Sequence, residues 1–220
     1  MRGLAQGCAR YLWCWLALAL FALPASGQQI RRDVDYRVLP QAQPVATGER
    51  IEVIEFFFYA CPYCNDLAPH LDRWLQRKPA DVVFRRVPVV RHDSWGPLAK
   101  IYFVLETMGE VERLHLAVFR SYHDDDLAMS QEKVVAGWAA KNGLDAEKFM
   151  SIYRSDEVRQ KVELARRMTR DYDIRSTPSI VVDGKFLTST GMTPGIPEVI
   201  PVLDGLVRLA RQQRLEKSVR

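Results

Sequence analysis

Residues 56–70 read FFFYACPYCNDLAPH: four aromatic residues lead through Ala60 into two cysteines spaced by Pro62 and Tyr63, and then into a helix-like pattern. The aromatics close the run IEVIEFFF at 51–58, nearly continuously apolar and rich in β-branched side chains, which reads as a strand buried on both faces. Beyond the cysteines, Leu67, Ala68, Leu71, Trp74 and Leu75 recur at helical spacing, and 81–90 returns as a second strand. A strand-helix-strand unit of this kind implies a parallel pair with the cysteines at the start of the connecting helix.

The period is helical from 94 to 169, with stops at Gly109, at 123–126 and at Asn142-Gly143, and with Ser130, Asp145 and Ser155 as N-cap candidates for four or five helices. Residues 179–182 and 185–187 read as a hairpin turning at Asp183-Gly184, and 197–215 as a last amphipathic helix. A short edge strand at 36–39 is ended by Pro40 and Pro44. The expected architecture is α/β: one core built from 36–92 and 170–216, interrupted by an all-α insertion at 94–169.

The first residues differ in composition. Arg2 and Arg10 precede the thirteen apolar residues 11–23, and Pro24-Ala25-Ser26-Gly27 follow. This pattern predicts a signal peptide over 1–27, with a retained N-terminal anchor as the alternative, since the run is short for a bilayer span. Removal takes Cys8 and Cys14 away and leaves Cys61 and Cys64 as the exported cysteines. A disulfide closing so short a loop removes little unfolded-chain entropy, so stability is not its purpose. The net charge of +4, half of it from Arg2 and Arg10, leaves no nucleic-acid footprint.

If the helix begins at Pro62, Cys61 is its N-cap and its sulfur meets unpaired N–H groups at the positive end of the helix dipole. That setting favours thiolate and moves a cysteine pKa from about 8.5 toward ~3.5–7.5. For an illustrative value of ~4, ionisation at pH 7 stabilises the reduced form by roughly 4 kcal/mol and raises the reduction potential by about 90 mV. Cys64 shares a helical stripe with Leu67, Ala68 and Leu71 and should face the core, so Cys61 exchanges and Cys64 resolves. The alternatives are an inert pair and a zinc half-site. Zinc wants four ligands, and only His70, His92, His115 and His123 remain, scattered without a second pair motif. No metal and no cofactor are expected.

The segments EFFFYACPYC and STPSIVVDGKF, with the export signal and the helical block, resemble the thioredoxin superfamily and within it the periplasmic disulfide oxidoreductases of the DsbA family. The resemblance implies that Cys61 is the nucleophile that forms the mixed disulfide and that Cys64 completes the pair. It also implies that the Thr177-Pro178 bond is cis and that this loop faces the cysteines and receives an extended substrate peptide. From the residues alone, Pro178 also fits a helix stop before a strand. A buried glutamate similar to Glu55 occurs in the family, and desolvation would make Glu55 a proton carrier for Cys64. The other reading is a carboxylate that reaches water or pairs with Arg86, where the family often has lysine. Pro62 and Tyr63 should tune the redox balance.

The reading is a thiol:disulfide interchange enzyme of the periplasm that gives the Cys61-Cys64 disulfide to reduced, unfolded exported proteins. Implied alongside are reoxidation by a DsbB-like quinone-linked membrane oxidase and a monomeric state. Two rivals remain. A disulfide isomerase or reductase shares the core and can carry threonine at position 177, but periplasmic isomerases add an N-terminal dimerisation domain, whereas only residues 28–60 precede the pair here. A thioredoxin-like binding module, chaperone or metal carrier, would lack exchange activity.

Overall fold

The computed structural model describes residues 29–218; the expected signal peptide lies outside the described residues. Five strands form one mixed sheet: β1 (Arg37–Val38), β2 (Ile51–Phe57), β3 (Val82–Pro88), β4 (Ser179–Val182) and β5 (Phe186–Ser189), in the order β1-β5-β4-β2-β3. Strands β2 and β3 are parallel, with helix α1 (Pro62–Leu75) as their crossover. The β4 and β1 neighbours of the sheet are antiparallel.

Every residue of β2 is buried, because the strand is central and both its faces are covered. Ile51 and Val53 pack with Leu67, Leu71 and Trp74 of α1 and with the last helix, α7 (Val199–Ser218). Ile54, Phe56 and Phe57 belong to a second core shared with five helices placed between β3 and β4. These are α2 (Gly96–Met108), α3 (Val111–His123), α4 (Glu132–Lys141), α5 (Ala146–Tyr153) and α6 (Asp156–Asp171). The architecture is therefore the predicted α/β core carrying an all-α insertion.

The helix ends follow local chemistry. Gly109 closes α2 in the left-handed region at φ 73°, and Asp145 and Ser155 accept from the N–H groups of Lys148 and Val158. Ser130 does not cap α4. Gln131 occupies that position with extended backbone and no side-chain bond, so the entry to α4 is set by packing of Val135 and Trp138 instead. In the hairpin, Asp183 and Gly184 take φ 56° and 62°, both positive as a two-residue type I′ turn demands. The second strand starts at Phe186, one residue later than the sequence pattern suggests.

The hairpin turn also anchors the chain before β2: Gln43 donates to the Gly184 carbonyl at 2.8 Å, and a Cβ on Gly184 would collide with the Gln43 carbonyl. Gly184→Ala should therefore lower stability by more than about 1 kcal/mol, through positive φ and displacement of the 43–45 segment. A urea titration of both proteins, read as a lower midpoint at unchanged slope, checks this.

Candidate active site

The end of β2, a tight turn and the first turn of α1 build the site. The Cys61 N–H donates to the Phe58 carbonyl at 3.0 Å, closing a turn through Tyr59 and Ala60. Cys61 then takes the N-cap at φ −89°, ψ 118°, with Pro62 opening the helix as its fixed φ allows. Its carbonyl accepts from the N–H groups of both Cys64 and Asn65 at 3.1 Å.

The two cysteines are free thiols in unlike settings. Cys61 is partly exposed and Cys64 is 0% exposed. The Cys61 pKa is lowered to about 6, first by the hydrogen bond from the Cys64 thiol, against the cost of partial burial. The Thr177 side chain and the N–H groups of Cys64 and Tyr63 add to this. Neither N–H completes a capping bond to the sulfur, so they act as facing dipoles. In the thiol form Cys61 can donate to the Thr177 carbonyl at 3.2 Å, a contact that favours the proton and so opposes the others. At about 6, the thiolate is less favoured than in the illustrative case of ~4, and the gain in reduction potential is correspondingly smaller. Cys64 moves the other way. Burial, then the charge and hydrogen bond of Cys61, push its pKa well above the ordinary thiol range, although the Phe58 N–H points at its sulfur from 3.5 Å.

The Thr177-Pro178 peptide is cis and immediately precedes β4, whose Ser179 pairs with Phe56 of β2. That register carries Thr177 to the cysteines, as the 3.2 Å contact records. Tyr63, 59% exposed, projects to solvent beside them, and the Phe58 ring stacks on Trp95 at 3.9 Å.

Glu55 does not reach water. It is 0% exposed and stands directly beside Arg86 in the β2-β3 register, with Arg86 Nε 2.9 Å from Oε2. Burial raises its pKa, and the Arg86 charge and hydrogen bond pull the other way; Oε1 has no partner. The structure thus brings together Cys61, Cys64, Thr177 and Pro178, and joins Glu55 to Arg86 beneath them, close enough for the Glu55 charge to raise the Cys64 pKa. Two histidines that the sequence offered only as scattered ligands instead contact the turn: His115 Nδ1 lies 2.9 Å from the Tyr59 hydroxyl and His123 Nε2 lies 2.8 Å from the Tyr59 carbonyl. The signal available in sequence was their four-residue spacing with Phe119 on one helix.

The family model of the DSBA-like thioredoxin domain matches residues 93–197, from the helical block through the cis-proline hairpin. The thiol:disulfide interchange protein DsbA of Burkholderia cepacia is 34% identical over 201 residues, covering 91% of this chain and 92% of its own. The chain belongs to the DsbA family. The protein of the same description from Pseudomonas aeruginosa is 31% identical over 201 residues, covering 91% and 95% of the two chains. A crystal structure of Pseudomonas aeruginosa DsbA matches with a TM-score of 0.80 at 30% identity, over 84% of this chain and 96% of that one. The core is thus a thioredoxin fold with the helical subdomain of this family, and the protein is a thiol-disulfide oxidoreductase.

The family-model match begins at residue 93, beyond Cys61 and Cys64. Thiolate absorbance of the reduced protein near 240 nm should titrate with a midpoint near pH 6, and a Cys61→Ser variant should lose that transition. Because the folded pKa is depressed, Cys61 stabilises the reduced fold above the ordinary thiol pKa of 9.0, and this is lost as pH falls through about 6. The reduced form should therefore gain on the oxidised form in thermal midpoint between pH 5 and 8, where both pH limits are about one to two units either side of that pKa.

Proposed function

We propose that this protein is a disulfide donor to reduced, unfolded proteins in the periplasm. The observation that carries the reading is the low-pKa sulfur of Cys61, partly exposed at a helix start and 3.2 Å from the Thr177 carbonyl. In the oxidised state a client thiolate attacks Cys61 Sγ; the Cys61-Cys64 bond breaks, a client-Cys61 bond forms, and Cys64 leaves as a thiolate that takes up a proton. A second client thiolate attacks the client sulfur of that mixed disulfide, the client disulfide forms, and Cys61 departs as thiolate. Two electrons have passed to the protein. A low thiol pKa makes Cys61 the better leaving group in this second step, which drives the exchange toward an oxidised client.

Thr177 and Pro178 serve as the docking edge: an extended client segment pairs with the backbone of Thr177 by strand addition, bringing its cysteine to Cys61. Pro62 and Tyr63 tune the balance from between the cysteines. Glu55 carries the proton for Cys64. Its partner Arg86 keeps its own proton and holds the carboxylate in place without relaying. Reoxidation falls to a DsbB-like quinone-linked membrane oxidase that docks on the same face.

Equilibration with glutathione buffers should give a reduction potential well above the about −270 mV of a reducing thioredoxin. A value near or below that would favour a reductase, and failure to exchange would favour a binding module. Cys61→Ser should abolish oxidation of a dithiol peptide, whereas reduced Cys64→Ser offered a disulfide-bonded peptide should accumulate a covalent adduct, visible by mass spectrometry, as the Cys61 thiolate displaces one peptide sulfur as thiolate and no Cys64 is present to release the other. In a protein that keeps Cys64, Glu55→Gln should slow attack by Cys64 on the Cys61-peptide mixed disulfide by roughly 10²-fold, the scale of a lost general acid-base, while the Cys61 titration stays in place.

A further inference from the structure

The turn that delivers Cys61 is gripped from the inserted helices, at a single residue and by two different handles. Tyr59, 1% exposed, is one of the two central residues of the turn closed by the Phe58-Cys61 hydrogen bond. Its hydroxyl meets His115 Nδ1 at 2.9 Å, and its backbone carbonyl meets His123 Nε2 at 2.8 Å. A carbonyl only accepts, so His123 donates there through its Nε2–H. Between the two histidines, Phe119 lies against the Tyr59 ring at 4.9 Å and 67°, and the His123 ring stacks on Phe119. His115, Phe119 and His123 are spaced by four, hence one stripe of α3 reads the hydroxyl, the ring and the carbonyl of Tyr59 in succession.

We propose that His115 and His123 are positioning residues for the exchange reaction, holding the Tyr59-Ala60 turn so that Cys61 Sγ stays at the start of α1 against the Tyr63 and Cys64 N–H groups. Burial accounts for the rigidity of the arrangement. His115 is 3% exposed and enclosed by Phe57, Tyr59, Tyr102 and Phe119, and it stays uncharged because burial and the nearby Arg86 charge push its pKa well down. The Tyr59 phenol stays protonated because the same burial drives its pKa well up. The pair is thus a neutral hydrogen bond in a buried, low-dielectric setting, where it is stronger than the same bond at the surface. His123 is half-buried at the end of α3, so its bond to the carbonyl is the accessible half of the grip. Because the turn ends on Cys61 itself, freedom gained at the Tyr59 peptide appears two residues later as misalignment between the sulfur and the dipoles that stabilise its charge.

The inference rests on Cys61 being the exchanging thiol, and the experiment separates the two. His123→Phe keeps a ring and removes the donor; His123→Gln keeps an N–H that can reach the carbonyl. His123→Phe should raise the Cys61 pKa by about half a unit, which is about a threefold shift toward the oxidised protein in the glutathione equilibrium, and His123→Gln should restore most of it. Tyr59→Phe, which removes only the hydroxyl, should move both readings in the same direction and tests the His115 handle even if His123→Phe does not fold. Unchanged pKa and equilibrium in His123→Phe and Tyr59→Phe overturn the proposal, as does an equal loss of thermal stability in oxidised and reduced forms, which marks a structural contact alone. A His123→Gln protein indistinguishable from His123→Phe also counts against it. An alkaline Cys61 in the wild-type protein would instead remove the reading of Cys61 itself.

Discussion

The site depends on where one peptide helix begins. A sulfur at the N-cap of α1 faces N–H groups that no residue inside the helix can satisfy, and it meets the Cys64 thiol as an additional donor. Move the helix start by one residue and the sulfur leaves that field, since the effect of the helix dipole is confined to the first turn. Pro62 fixes the start from within the helix, and the Phe58-Cys61 turn fixes it from outside.

The sheet supplies the second constraint. Since β2 is parallel to β3 and antiparallel to β4, the C-terminal end of β2 and the N-terminal end of β4 meet at the same edge. The cysteine turn leaves from the first and the cis Thr177-Pro178 peptide enters the second, so the Cys61 sulfur and the Thr177 backbone come together without a dedicated loop. The unequal burial of the cysteines follows from the same geometry. Position 61 precedes the helix and remains within reach of solvent, whereas Cys64 lies one turn in, on the stripe with Leu67 and Ala68 that faces the core. Their pKa directions are opposed accordingly: the Cys61 thiolate is favoured and the buried Cys64 keeps its proton.

What could be read from the sequence divides along physical lines. Features encoded locally were legible: a strand apolar on both faces reports its own burial, Asp183-Gly184 announces a turn with two positive φ angles, and Pro62 after Cys61 marks a helix start. Features that depend on register were not. That Glu55 lies beside Arg86 follows from a parallel pairing set by the whole of β2 and β3, and sequence reasoning left the glutamate divided between water, a partner and a proton role. Ser130 failed as a cap because propensity yields to tertiary packing when Val135 and Trp138 decide how α4 enters the core. The histidines on Tyr59 are the furthest from legibility, since no local pattern says which turn of a distant loop a helical stripe will touch.

That last contact bears on why an all-α block is inserted into a core that already closes its own sheet. The cores on the two faces of β2 are unequal: the α1-α7 side is completed by the α/β core alone, but the other side draws its apolar partners from the inserted helices. Phe57, at the last position of β2, packs against Tyr102, His115 and Phe119, so the strand end next to the cysteine turn is stabilised by residues of α2 and α3. A loop that must present a charged sulfur cannot bury itself, and one anchored only by its flanking strand and helix would have a free hinge at Tyr59. The insertion removes that hinge by bringing its own aromatic and imidazole stripe to the turn, so it acts as a wall of the active site as well as cover for the sheet.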